Sequence, residues 1–165
     1  MPVTADIVDA ITRHHIELET SLIARVDAVV TAARIAAPFE KPVAELRALL
    51  RHDIVPHARA EEDVLYAAAT ADILRPLVTG MIFEHETLLG LADRLAAVTT
   101  AADAAATAYA IQAVFAGHVR RENELLLPAL AADSTVDLPR LLPIMEQRFA
   151  TYQAAATRAR ARFPR

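Results

Sequence analysis

Two short stretches pair a histidine with a glutamate four residues later: His57 with Glu61 in "PHARAEEDVLY", and His118 with Glu122 in "HVRREN". On a helix, four residues bring both side chains to one face, about 40° apart and one turn along the axis. An imidazole and a carboxylate so placed can converge on one point. Both pairs fall where the helical stripe requires an apolar residue. Leu50, Ile54, His57, Glu61 and Leu65 form one line. Ile111, Val114 or Phe115, His118, Glu122 and Leu125 or Leu126 form another. Two more histidines occupy matching lines, His15 between Ile11 and Leu18, and His85 between Met81 or Ile82 and Leu88 or Leu89. His14 lies about 100° away from His15 and off the stripe, so His15 is the expected inward residue. Buried carboxylates are costly unless paired or metal-bound. Four imidazoles and two carboxylates aimed into one core therefore predict a metal site.

The donor set narrows the metal. Six N/O ligands are too many for a tetrahedral zinc site. They suit two first-row metals, each taking two imidazoles, with both carboxylates bridging. Imidazole and carboxylate without thiolate favour iron or manganese with open positions for a small ligand. Ferritin-like bundles use Glu-x-x-His, but the residues three before His85 and His118 are Ile82 and Phe115. A zinc protease needs His-Glu-x-x-His, and "HETLL" ends in Leu89. With no cysteine, a disulfide framework, a thiolate metal site and an iron–sulfur cluster ligated by this chain are excluded.

Five helical segments must position these side chains. The first begins near Thr4, a plausible N-cap, and carries Ile7, Ile11, Leu18, Leu22, Val26 and Val29 on one stripe, with Pro38 bounding its end. The second begins near Pro42 and runs to about Ala69. The third begins around Asp72 and carries Leu77, Met81, Leu88, Leu91 and Leu95. "TTAAD" supplies a loop and a cap; the fourth runs from about Asp103, frays at Pro128 and ends near Ala132. The fifth covers about Pro139 to Arg162, with Leu141, Met145, Phe149 and Tyr152 on one face. Short connections favour antiparallel neighbours. The expected fold is all-α, an up-down four-helix bundle over about 4–132 with an additional C-terminal helix over about 139–163, in a single domain spanning 1–165.

Composition agrees. Apolar residues make up 55% of 165 residues, much of it alanine, and only 3 glycines occur, which favours helices over strands. The net charge of −4 argues against a nucleic-acid binder. Leu95 to Gly117 is the most membrane-like run, but Asp103, Gln112 and several threonines interrupt it. The start, "MPVTADIVDAI", has no basic region followed by an apolar core, so the expected location is the cytoplasm, with no membrane partner.

The motifs resemble those of the haemerythrin family, specifically the bacterial HHE cation-binding domains. "RHHIEL", "PHARAEEDVLY", "FEHETL" and "GHVRRENELLLP" follow the family's order over about Ile7 to Leu130. The resemblance implies a bundle holding an oxo- or hydroxo-bridged pair of iron ions, with ligands His15, His57, Glu61, His85, His118 and Glu122; manganese or zinc are possible substitutes. The family's oxygen carriers place a fifth histidine where this chain has Leu89. They also have an aspartate where it has Asn123, with Glu122 taking that role here. Loss of an imidazole leaves one metal with an exchangeable position. The implied function is binding or reducing dioxygen, peroxide or nitric oxide, as a carrier or a di-iron oxidoreductase. The alternative is an oxygen, redox or iron sensor, or an iron-storing module, acting through a partner. A monomer or a homodimer fits either.

Around the ligands, Tyr66, Glu62 and Glu84 are candidates to stand behind them and bond their outward atoms. For Tyr66, core packing is the simpler expectation, and for Glu62 a solvated position. Glu84 and Glu86 flank His85, and His52 falls on the surface side. Pro56 removes an amide that would bond the His52 carbonyl, so a kink or bulge is expected just before His57. Arg158, Arg160 and Arg162 read as a solvated helix end.

Overall fold

The computed structural model describes residues 4–162, with side chains through Arg158. Every regular element among them is helical, and they form the expected bundle with an appended helix. α1 spans Thr4–Arg34, with Thr4 already helical rather than outside as a cap. It ends at Ala36, which takes a positive φ of 52°, and the Ala37 amide donates to the Ala32 carbonyl at 2.9 Å. This six-to-one bond closes the helix end, and Pro38 blocks its continuation.

The second rod is composite: α2 (Glu40–Leu49), a π-turn (Leu50–Ile54), α3 (Val55–Glu61) and a second π-turn (Glu62–Tyr66). A 3₁₀ turn over Asp72–Leu74 precedes α4 (Arg75–Ala96), so the α-helix proper starts three residues later than expected. α5 spans Ala101–Arg121, with Thr100 Oγ1 accepting from the Asp103 amide, the cap that "TTAAD" implies. A third π-turn (Glu122–Leu126) leads into α6 (Leu127–Ala132). The expected fraying at Pro128 does not occur. A proline at the second helical position needs no amide of its own, and the π-turn upstream absorbs the offset. α7 covers Leu138–Arg162. No helix among the described residues is long and apolar enough to cross a membrane.

Pro56 behaves as expected. The π-turn lies directly before it, and the Val55 amide reaches the Leu50 carbonyl, five residues back. The Leu127 amide reaches the Glu122 carbonyl in the same way, one residue before Pro128.

The core divides into two apolar clusters. One gathers Leu18 to Val30, Leu46 to Ile54, Leu88, Leu95 and the α5 residues Ala104 to Phe115. The other gathers Ile7, Ile11, Val64, Leu65, Tyr66, Met81, Leu126, Leu127 and Leu130, sealed by Leu138 and Met145 of α7. The start of α1 thus packs with the end of the second rod, so the two run antiparallel. Six buried polar residues, at least one on each of the four rods, fall between the two clusters: His15, His57, Glu61, His85, His118 and Glu122; buried Thr107 lies apart from them, between Ala104 and Ala108 of the first cluster. The apolar layers hold a polar layer of fixed height.

Candidate metal centre

The structure brings together all six inward residues that the sequence spacing singles out. Each of the four imidazoles presents Nε2. Glu61 Oε1 lies 2.6 Å from Nε2 of His57 and 3.1 Å from Nε2 of His15. Its other oxygen lies 3.5 Å from Nε2 of His85 and 3.9 Å from that of His118. Glu122 Oε2 lies 3.6 Å from both His15 and His118. His85 and His118 approach each other at 3.1 Å. Two sets of donor atoms are close enough to hold a cation each, His15–His57–Glu61 and Glu61–His85–His118. Glu61 belongs to both.

Three imidazoles are held from behind through Nδ1. His15 donates to Asn123 Oδ1 at 2.7 Å, His85 to Glu62 Oε1 at 2.7 Å, and His118 to Glu84 Oε2 at 3.1 Å. Arg121 pairs with the other oxygen of Glu84. In the neutral ring such bonds fix the tautomer and leave the Nε2 lone pair facing inward. Glu62 and Glu84 therefore occupy the supporting positions that were open to them, whereas Glu86 is exposed. Asn123 was legible only as a departure from a carboxylate; its use is to orient His15.

Tyr66 is more than core packing. Its hydroxyl lies 3.4 Å from His118 Nε2, and its ring stacks on His85 at 5.6 Å. The π-turn explains this: one extra residue per turn makes the fifth residue after Glu61 face where the fourth otherwise would. Burial, with the charges of Glu61, Glu122 and Glu62, pushes the phenol up, so it stays protonated. His52 is only half-exposed, and its Nδ1 is buried without a hydrogen-bond partner, which corrects its expected surface position. Arg158 is exposed as expected; the side chains of Arg160 and Arg162 lie outside the described residues, as does residue 163 at the expected end of the last helix.

The electrostatics of the protein side are those of a cation site. Glu61 Oε2 and both oxygens of Glu122 are buried with no hydrogen-bond partner. Among the described residues no lysine or arginine is buried with them. Burial alone would raise Glu61, but the His57, His118 and His15 imidazoles hold it well below the usual carboxylate range. Burial and the charge on Glu61 push Glu122 up. Burial lowers His57. Burial works against protonation of His15 as well, but its bond to Glu61 and the charges of Glu122 and Glu61 outweigh it and raise the group. The same balance, with Glu122 and Glu61 as the opposing partners, pushes His118 up to about 9. Two buried carboxylates with three oxygens lacking a hydrogen bond, facing four imidazoles, fit metal cations.

The family model of the hemerythrin HHE cation binding domain matches residues 6–130, and the chain belongs to that family. Comparison with the curated proteins and with the solved structures returned no match. α7 lies beyond the matched residues.

Metal uptake is expected to release protons. Metal ligands must be deprotonated, and below about pH 9 the metal-free protein keeps a proton on His118. Loading at pH 7 should therefore acidify a weakly buffered solution by at least about one proton per chain, and affinity should fall as the pH drops. An indicator dye during metal titration measures this. No acidification at pH 7 would show that His118 is not displaced from its proton.

Proposed function

We propose that the protein holds two iron ions through His15, His57, Glu61, His85, His118 and Glu122, and that it binds or reduces a small oxidant: dioxygen, peroxide or nitric oxide. The observation that carries this reading is the convergence of four Nε2 atoms on two buried carboxylates whose outer oxygens have no partner. Manganese or zinc would fit the same donors. The iron pair would supply Lewis acidity and exchangeable electrons. The chain supplies orientation through Asn123, Glu62 and Glu84, and an apolar surround that excludes water.

The chain also supplies an approach. A cleft of about 130 Å³ between the second rod and α4 is lined by His85, Glu62, Val55, Ile82, Leu88 and Leu89. Leu89, one of the lining residues, is 41% exposed. Arg59 and Glu86 also line the cleft, and its size suits a small oxidant. Leu89→Trp should leave the iron content unchanged and slow oxidation of the reduced protein roughly tenfold, about 1.4 kcal/mol of barrier. Stopped-flow mixing with oxygenated buffer reads this directly. An unchanged rate would place the approach elsewhere.

Metal analysis, with optical spectra of reduced and air-exposed protein, tests the whole proposal. About two irons per chain, one for each donor set, and an optical spectrum that differs between the reduced and air-exposed protein are expected. Less than one metal per chain after iron-replete expression would sink it. Consumption of peroxide or nitric oxide well above that of free iron would assign an enzyme rather than a carrier or sensor.

A further inference from the structure

His57 differs from its three companions. The other imidazoles each have a side-chain hydrogen-bond acceptor behind them at Nδ1, whereas the polar contact of His57 is the approach of its Nε2 to Glu61. Rings pack against it. His14 meets His57 edge-on at 4.9 Å and His15 does so at 5.0 Å. Phe149 meets it at 6.3 Å and packs edge-on against His14 at 5.5 Å. Phe149 belongs to α7, outside the residues that the family model matches.

α7 is tied to the second rod on both sides of His57. Gln153 Nε2 donates to Asp53 Oδ1 at 3.0 Å, one turn before the histidine. The Tyr152 hydroxyl donates to Asp63 Oδ2 at 2.6 Å, beyond Glu61. The Arg59 guanidinium lies 5.9 Å over the Tyr152 ring, a favourable cation–π distance. These ties are polar and directional, so they fix the register of α7 and with it the place of Phe149. An apolar stripe alone would tolerate sliding.

We propose that α7 is the positioning element for His57, with Phe149 and His14 fixing the imidazole plane that hydrogen bonds fix at the other three histidines. The inference rests on the metal-binding reading above. A ring free to turn loses that freedom on ligation, and a ring already held does not. The His15–His57–Glu61 set therefore depends on α7, whereas the Glu61–His85–His118 set is oriented by Glu62 and Glu84. The two metal positions are unequal by construction.

Zinc and cobalt(II) titrations of native protein, Phe149→Ala, Phe149→Tyr and Leu141→Ala test this. Native protein should take up two ions. Phe149→Ala should keep one at native affinity and weaken the other about 10- to 100-fold, the range seen when a ligand's supporting partner is lost. Its cobalt spectrum should change for that one ion. Phe149→Tyr retains the ring and should restore both. Leu141→Ala removes apolar contact from the same helix at a distance from His57; it should lower the melting temperature and leave both affinities alone. If Phe149→Ala does not fold, Phe149→Leu keeps the bulk without the ring and carries the same expectation. Two native-like ions in the Phe149 variant, or equal weakening of both ions there and in Leu141→Ala, would overturn the role of α7 while leaving the metal reading intact. Native protein that takes up no metal would overturn both.

Discussion

Glu61→Ala is expected to leave less than one tightly held metal per chain under conditions that load the native protein with two. Among the described residues, Glu61 is the only one common to both cation-sized donor sets. One oxygen faces His15 and His57, and the other faces His85 and His118 at longer range. Its removal takes a ligand from both positions and the negative charge from between them. The loss should exceed the about 10- to 100-fold typical of supporting groups, a range in which Glu84→Gln, acting only through His118, should fall. Glu61→Gln separates charge from shape. It keeps the volume and removes the anion, so it should resemble Glu61→Ala in metal content and the native protein in packing. Metal analysis after desalting, alongside a thermal melt, distinguishes these cases. Two tightly held ions in Glu61→Ala would remove Glu61 from the centre of the site.

The sequence made the height of the polar layer legible because helical periodicity is strict where a helix is regular. Ile7, Ile11, His15, Leu18, Leu22 and Val26 lie on one stripe and are all buried. The reading weakens at the π-turns. After Glu122 the stripe allowed Leu125 or Leu126; Leu125 is exposed, and Leu126 and Leu127 are both buried. After Glu61, Leu65 and Tyr66 are likewise both buried. One extra residue per turn widens the inward face, and only a downstream proline such as Pro56 advertises it in the sequence. The supporting bonds were harder to read for a different reason. Glu62, Glu84 and Asn123 reach imidazoles on other helices, and spacing within one helix carries no information about its neighbour. His14 shows the same limit. Off the stripe, it was set aside as a ligand, yet it packs against His57 from the flank.

Glu122→Leu should raise the stability of the metal-free protein while reducing its capacity for metal. Both Glu122 oxygens are buried without a hydrogen bond, the His15 and His118 imidazoles approach no nearer than 3.6 Å, and the group is pushed up by burial and by Glu61. Its neighbours along the stripe are Phe115, Val119 and Leu126, all buried. Leucine is close to glutamate in volume and brings no desolvation cost. An unsatisfied buried polar group costs about 1–3 kcal/mol, and replacing a buried charge by a packed apolar residue is often stabilising. With about 2–4 °C per kcal/mol for a chain of this size, metal-free Glu122→Leu should melt roughly 2–12 °C above metal-free native protein. The order reverses when metal is added, because a ligand at free concentration L that binds the folded state stabilises it by RT ln(1 + L/Kd), and the variant, lacking a ligating group, binds more weakly. Calorimetry of both proteins, with and without metal, gives four melting temperatures and one sign. If Glu122→Leu melts lower than native protein in both states, Glu122 is a structural residue with partners of its own. If the order reverses, the carboxylate is held at a cost to the fold for the sake of the metal.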